Sequence, residues 1–94
     1  MVRIEWTERS LEDLNEIYDF ITRDSKSYAI LFIKKIYESI QKLKDFPKIG
    51  RIVPEINIST VREIIFQNYR IIYRIMVDYV EIITVIHGSR LLKI

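Results

Sequence analysis

Tyr69-Arg70-Ile71-Ile72-Tyr73-Arg74-Ile75 and Glu81-Ile82-Ile83-Thr84-Val85-Ile86-His87-Gly88-Ser89-Arg90 carry the side chains best suited to chemistry on an anion. Arginine's planar fork matches phosphate or carboxylate, and histidine exchanges protons near neutral pH. RNA cleavage by 2′-hydroxyl attack needs a base, an acid and a cation facing the charge that develops on phosphate. His87 fits acid or base, Glu55 fits base, and Arg70 fits the cation. Arg51, Arg62, Arg74 and Arg90 add cationic groups able to hold a nucleic acid or an acidic protein.

Both runs alternate with the period of a β-strand, which predicts that Arg70, Ile72, Arg74 and Met76 share one face and Tyr69, Ile71, Tyr73 and Ile75 the other. A tight turn at Val77-Asp78 sets Arg74 opposite Glu81 and Arg70 opposite Val85, diagonal to His87. Two arginines and the chain's single histidine then share a face suited to phosphate. A second arrangement is equally physical: Glu63 and Glu81, on the flanking strands, pair with Arg70 and Arg74 and neutralise them. For Arg51 the alternatives are a phosphate contact or hydrogen bonds to loop carbonyls, and for Arg62 a binding role or a cap on the sheet edge.

Ninety-four residues with 49% apolar side chains suit one domain, residues 1–94, folded around a single core. The chain has no cysteine and one histidine, so neither a disulfide framework nor a structural zinc site is expected, and nothing points to a cofactor. Arg3 and Glu5 interrupt the opening residues, and no apolar run approaches the roughly 18 residues that span a membrane. A cytoplasmic protein without a membrane partner is the expectation. Net charge is only +2, but residues 47–94 hold 7 basic and 4 acidic side chains against 8 and 9 in residues 1–46. The positive potential belongs to the second half, which points to an anionic partner.

The elements that must position these groups follow from periodicity. Val2-Arg3-Ile4-Glu5-Trp6 alternates as a strand, and Thr7 is a helix N-cap. Leu11, Leu14, Ile17, Tyr18 and Ile21 make one helical stripe. After a polar break at Arg23–Lys26, Ala29, Phe32, Ile33, Ile36, Ile40 and Leu43 make a second, antiparallel to the first. Pro47 and Gly50 end that helix, and Arg62–Phe66, Tyr69–Met76 and Tyr79–His87 form a three-stranded meander turning first at Gln67-Asn68. The expected fold is α+β in the order β-α-α-β-β-β, an antiparallel sheet packed on one face by a helical hairpin. Tyr69, Ile71, Tyr73, Ile82, Thr84 and Ile86 would meet the helices, leaving Arg70, Arg74, Glu81 and His87 uncovered. In the tail, Leu91, Leu92 and Ile94 suit a partner contact or the chain's own core.

Several ordered fragments carry a family likeness: the strand ending in Trp6, Leu11-Glu12-Asp13-Leu14-Asn15-Glu16-Ile17, Phe46-Pro47-Lys48-Ile49-Gly50-Arg51, Val53-Pro54-Glu55, Arg62-Glu63, Asn68-Tyr69-Arg70-Ile71-Ile72-Tyr73-Arg74-Ile75 and Val85-Ile86-His87-Gly88-Ser89-Arg90. Together they cover nearly the whole chain, which resembles the RelE/ParE toxin superfamily of type II toxin–antitoxin and plasmid-stabilisation systems. That resemblance implies growth arrest by the toxin and neutralisation by a cognate antitoxin. The Phe-Pro-x-x-Gly-Arg connector and His-Gly-x-Arg ending look nearer the ParE-like branch, which implies inhibition of DNA gyrase and no enzymatic step. The RelE-like branch implies an endoribonuclease, an mRNA interferase acting at the ribosome; Arg70 and the Pro-Glu glutamate Glu55 match it, whereas its terminal His-Tyr pair and lysine pair are missing. A superfamily member without toxicity, acting as a binding module, is the further alternative.

Overall fold

In the computed structural model, residues 1–92 are described, so Ile94 of the expected tail contact lies outside the described residues. Strand β1 (Arg3–Trp6) leads into helices α1 (Glu8–Thr22) and α2 (Lys26–Gln41), and a short 3-10 turn follows at Lys42–Lys44. Strands β2 (Arg51–Ile52), β3 (Val61–Phe66), β4 (Tyr69–Ile75) and β5 (Tyr79–His87) complete the chain. The fold is α+β, as the alternation and helical stripes predict. Its sheet has the order β1-β5-β4-β3-β2. Two features depart from an all-antiparallel meander. β1 joins β5 in parallel, because the helical hairpin carries the chain back across the sheet before the meander begins. The connector also contributes β2, a two-residue edge paired with β3.

Thr7 caps α1 by accepting a hydrogen bond from the Ser10 N–H at 3.1 Å, and Ser25 caps α2 from Tyr28 in the same way. The helices bury Ile17, Phe32, Ile36 and Ile40 against Ile71, Tyr73, Val80, Ile82 and Val85 of the sheet. At about 25 cal/mol per Å² of apolar area, this contact is the main force holding the layers together. Leu11, expected in the α1 stripe, is half exposed; Ser10, one residue before it, is fully buried at the cap.

The predicted pairing of β4 and β5 holds at Arg74↔Glu81 and then fails. Tyr73 pairs with Ile82, but Ile72 pairs with Thr84, so Ile83 is an extra residue in β5. Beyond this bulge Arg70 lies opposite Ile86 rather than Val85, and His87 lies opposite Tyr69. Each residue of β5 past Ile83 is thereby moved to the other face: Val85 joins the helical core in place of Thr84 and Ile86. His87 leaves the arginine face. The bulge falls where β1 ends and β5 loses its strand neighbour, and α1 supplies the missing partners. The Thr7 N–H donates to the Ile82 carbonyl at 3.1 Å, and the Asp13 carboxylate accepts from the Val85 N–H at 2.9 Å and from the Thr84 hydroxyl.

The other sheet face is not open, as the alternation alone implied. Val53, Val61 and Ile72 form a second apolar cluster, with Ile56, Ile83 and Leu92 packed against it. The connector after β2 and the C-terminal segment therefore cover the face that carries Arg70. At the first hairpin turn it is Gln67, not Asn68, that takes the positive φ, 49°.

Gly50 anchors the connector. Its N–H donates to the Tyr73 hydroxyl at 2.9 Å, which donates in turn to the Pro47 carbonyl at 2.7 Å. A Cβ at Gly50 would lie 2.6 Å from both the Glu63 carbonyl oxygen and the Tyr73 hydroxyl. Gly50→Ala is expected to destabilise the chain by about 1–3 kcal/mol in urea denaturation. Gly88→Ala, whose Cβ would meet the Asn68 carbonyl oxygen at 3.1 Å, is expected to cost less.

Candidate functional site

Arg70 is the centre of the site. It stands on β4 opposite Ile65, and the two-residue turn of the β3–β4 hairpin places Glu63 on the diagonal of the same face. The Arg70 Nε donates to Glu63 Oε1 at 2.7 Å. Nη1 and Nη2 reach Glu55 Oε2 and Oε1 at 2.6 and 2.8 Å, a two-pronged pair, and Nη1 also donates to the Arg90 carbonyl at 2.9 Å. Four guanidinium contacts are thus made inside the chain, and Arg70 is only 5% exposed. Glu63 is 1% exposed, and its second oxygen accepts from Arg51 Nε at 2.5 Å. Glu55 Oε2 also accepts the Leu92 N–H at 2.9 Å, tying the C-terminal segment to the cluster.

Two arginines and two glutamates leave this cluster formally neutral. Hydrogen bonds from Arg70, then from the Leu92 backbone, hold the Glu55 carboxyl at about 2, well below its ordinary 4.5. The Arg70 pKa is pushed up, first by Glu55 and then by Glu63, against an opposing effect of burial. A glutamate so stabilised as the anion is a weak proton acceptor at neutral pH.

The other expected residues are spread around the molecule. Arg74 sits 4.0 Å from Glu81, both partly exposed, so the cross-strand pairing foreseen for both arginines is present. Arg62 ties down the connector, donating to the carbonyls of Ser59, Lys48 and Gly50 at 2.9, 3.3 and 3.0 Å. The carbonyl-clamping role weighed for Arg51 thus belongs to Arg62. His87 lies at the rim of the helical face, edge-on to Tyr69 with ring centroids 5.6 Å apart. Its Nδ1 is 2.7 Å from the Ser89 hydroxyl. Among the described residues, the Arg90 guanidinium makes no ion pair or hydrogen bond; it borders a groove of about 430 Å³ that also holds His87, Tyr69, Glu16 and Phe20. The site therefore divides. Arg51, Glu55, Glu63 and Arg70 close on one another on one face, while His87 stands with Tyr69 on the other.

Glu63 is the member of the cluster that sequence gave only as a neutralising partner; its diagonal to Arg70 is fixed once Gln67-Asn68 is taken as a two-residue turn. Asp13, which fixes the bulge, has no comparable signal.

Replacing Arg70 by Met would leave buried Glu63 with Arg51 alone, and the expected loss is about 3–5 kcal/mol in denaturant unfolding. Glu55 gives a pH signature. Folding lowers its pKa, so its contribution is complete above about 4.5 and lost as pH falls toward about 2. Glu55→Gln is expected to flatten the acid limb of stability over that interval and leave the slope near neutrality unchanged.

Comparison with known proteins agrees with the fold. The family model described as ParE toxin of type II toxin-antitoxin system, parDE, matches residues 4–92. The Y4kP protein of Sinorhizobium fredii, which carries a toxin name, is 37% identical over 90 residues, spanning 94% of this chain and 90% of its own. Toxin RelE2 of Caulobacter vibrioides is 29% identical over 97% of this chain and all of its own length. Among solved structures, the chromosomal ParDE system from P. aeruginosa superposes with a TM-score of 0.79 at 20% identity, covering 95% of this chain and 98% of that one. The YoeB dimer of Staphylococcus aureus gives 0.60 at 16% identity, covering 92% and 95%. The match across residues 4–92 and the 37% identity to Y4kP place the chain in the ParE toxin family, within the RelE/ParE superfamily of type II toxin–antitoxin toxins.

Proposed function

We propose that this toxin arrests growth in the cytoplasm by ParE-like inhibition of DNA gyrase, acting by binding rather than by cleavage, and that a cognate antitoxin neutralises it. The observation that carries this reading is the closure of Arg70 on Glu55 and Glu63, with His87 on the opposite face of the sheet. Ribonuclease chemistry needs base, acid and cation around one phosphate. Here the cation is neutralised by two carboxylates, and one of these is the expected base. Binding needs no such convergence. Exposed cationic groups such as Arg74 and Arg90 serve it from separate positions, with the energy spread over several contacts.

A second reading, RelE-like mRNA cleavage, draws support from the groove beside α1. His87, Tyr69, Glu16 and Arg90 line it together, a set that contains an acid–base group and a cation. The identity to Toxin RelE2 is compatible with it.

Brief induction of the chain without antitoxin separates these readings. Gyrase inhibition is expected to raise a DNA-damage response while transcripts stay intact; cuts within codons would favour the second reading. His87→Ala is expected to leave growth arrest nearly unchanged, whereas in a ribonuclease it would lower the rate by about 10²–10⁴-fold. Abolished arrest in a folded, antitoxin-binding His87→Ala chain contradicts the gyrase reading. No arrest at all, with soluble expression verified, favours a binding module without toxicity.

A further inference from the structure

Strand β2 is too short to cover β3. The Val53 N–H donates to the Val61 carbonyl at 3.1 Å, and with the register Arg51↔Glu63 this sets the phase of the edge. Val61, Glu63 and Ile65 turn their backbone groups toward the β2 side. Arg51 lies opposite Glu63, but Ile65 falls beyond the start of β2. Its pair across β4, Arg70, is of the non-hydrogen-bonded type, because the two-residue turn closes on Phe66 and Tyr69. Among the described residues, the Ile65 N–H and carbonyl therefore have no backbone partner. The connector does not run along this edge. Gly50 and Pro47 are tied to the Tyr73 hydroxyl of the helical core, so the chain reaches β2 from the helical side of the sheet. A groove of about 400 Å³ is left beside the bare edge, lined by Lys42, Ile49, Arg51, Glu63, Ile64 and Ile65. Its floor is aliphatic and its accessible charge is positive. Lys42 is exposed and the Arg51 side chain is 62% exposed, whereas Glu63 is buried and already answered by two arginines. Lys35 and Lys48, exposed on the neighbouring helix and connector, extend the same sign.

We propose that an acidic, extended segment of the antitoxin docks in this groove and adds a strand to the bare half of β3, in line with β2; this rests on the antitoxin partnership proposed above. Antiparallel pairing lets one incoming residue exchange two hydrogen bonds with Ile65, using only the groups left free. Its side chain falls on the face of Ile65, which is 52% exposed, next to the outer guanidinium nitrogens of Arg51. The residues on either side of it point to the other face, over Ile64 and toward Lys42. A segment that alternates carboxylates with aliphatic side chains satisfies both kinds of wall. The aliphatic floor favours a polypeptide over a nucleic acid, whose phosphates would use the two cations and leave Ile49, Ile64 and Ile65 uncovered. Because the backbone supplies a single hydrogen-bonded pair, side chains carry most of the affinity, and charge makes it salt-dependent.

The test uses the full chain and the antitoxin encoded beside it. Amide hydrogen exchange, compared between the free chain and the complex, is expected to show the Ile65 N–H newly protected on binding. Titration calorimetry over a series of salt concentrations reads the charges. Lys42→Glu is expected to weaken antitoxin binding about tenfold or more at low salt and to flatten its salt dependence. Ile65→Pro removes the outward N–H and leaves the β4 ladder intact, so it is expected to weaken binding while circular dichroism stays native. The exchange measurement needs no variant and decides the matter even if Ile65→Pro fails to fold. An antitoxin complex in which Ile65 exchanges as fast as in the free chain overturns the proposal, as does affinity indifferent to Lys42→Glu. Gyrase inhibition or nucleic-acid binding that falls in Lys42→Glu while antitoxin affinity holds assigns the groove to another partner, and overturns it equally. A wild-type chain that binds no antitoxin overturns the partnership itself, a result distinct from a complex that forms elsewhere on the surface.

Discussion

One buried arginine and the carboxylates around it determine how half of this molecule is arranged. Arg70 cannot be left in a low-dielectric layer without partners, and the hairpin supplies Glu63 on its diagonal at no cost in chain length. Glu55 has to come from the connector, and its arrival brings that segment over the sheet. The same carboxylate then holds the Leu92 N–H, and Arg70 holds the Arg90 carbonyl, so the C-terminal segment is fixed by the same charges. Val53, Ile72 and Leu92 gain their apolar contacts because the ionic cluster has placed them. Buried ion pairs contribute little net stability against apolar replacements of equal shape. What this one supplies is position.

That arrangement bears on how a toxin domain of this family works. A face occupied by mutually satisfied charges does not attract phosphate strongly, whatever the arginine count of the sequence suggests. The groups that remain available lie at the margins: Arg51 on the edge strand, its side chain 62% exposed, Arg74 along the sheet, and Arg90 with His87 and Tyr69 at the end of β5. Function distributed over a margin suits recognition of a large partner better than chemistry at a point.

Much of this was legible in the sequence, for local reasons. Helical stripes, the Thr7 cap, the break at Pro47 and the turns at Gln67-Asn68 and Val77-Asp78 are all encoded within a few residues of where they act. The pairing of Arg74 with Glu81 followed directly from the second turn. The failure came two residues later, at Ile83. A bulge has no mark in a run such as Ile82-Ile83-Thr84-Val85, where every residue suits a strand; Asp13 and Thr7, some seventy positions away, decide it. One inserted residue reversed the facing of His87. The covering of Arg70 was illegible for a related reason. Alternation assigns residues to a face and is silent about which loop folds over it, and that depended on a contact between Glu55 and residues 15 to 37 positions further on.

The central claim, that Arg70 is clasped from both sides and unavailable to a ligand, can be read directly from its Nε–H in a nitrogen–proton NMR spectrum. The account predicts an Arg70 Nε–H resonance, held by buried Glu63 at 2.7 Å, that exchanges with water at neutral pH far more slowly than that of Arg74, whose side chain is 49% exposed. An Arg70 signal that exchanges as fast as the Arg74 signal at neutral pH would contradict it.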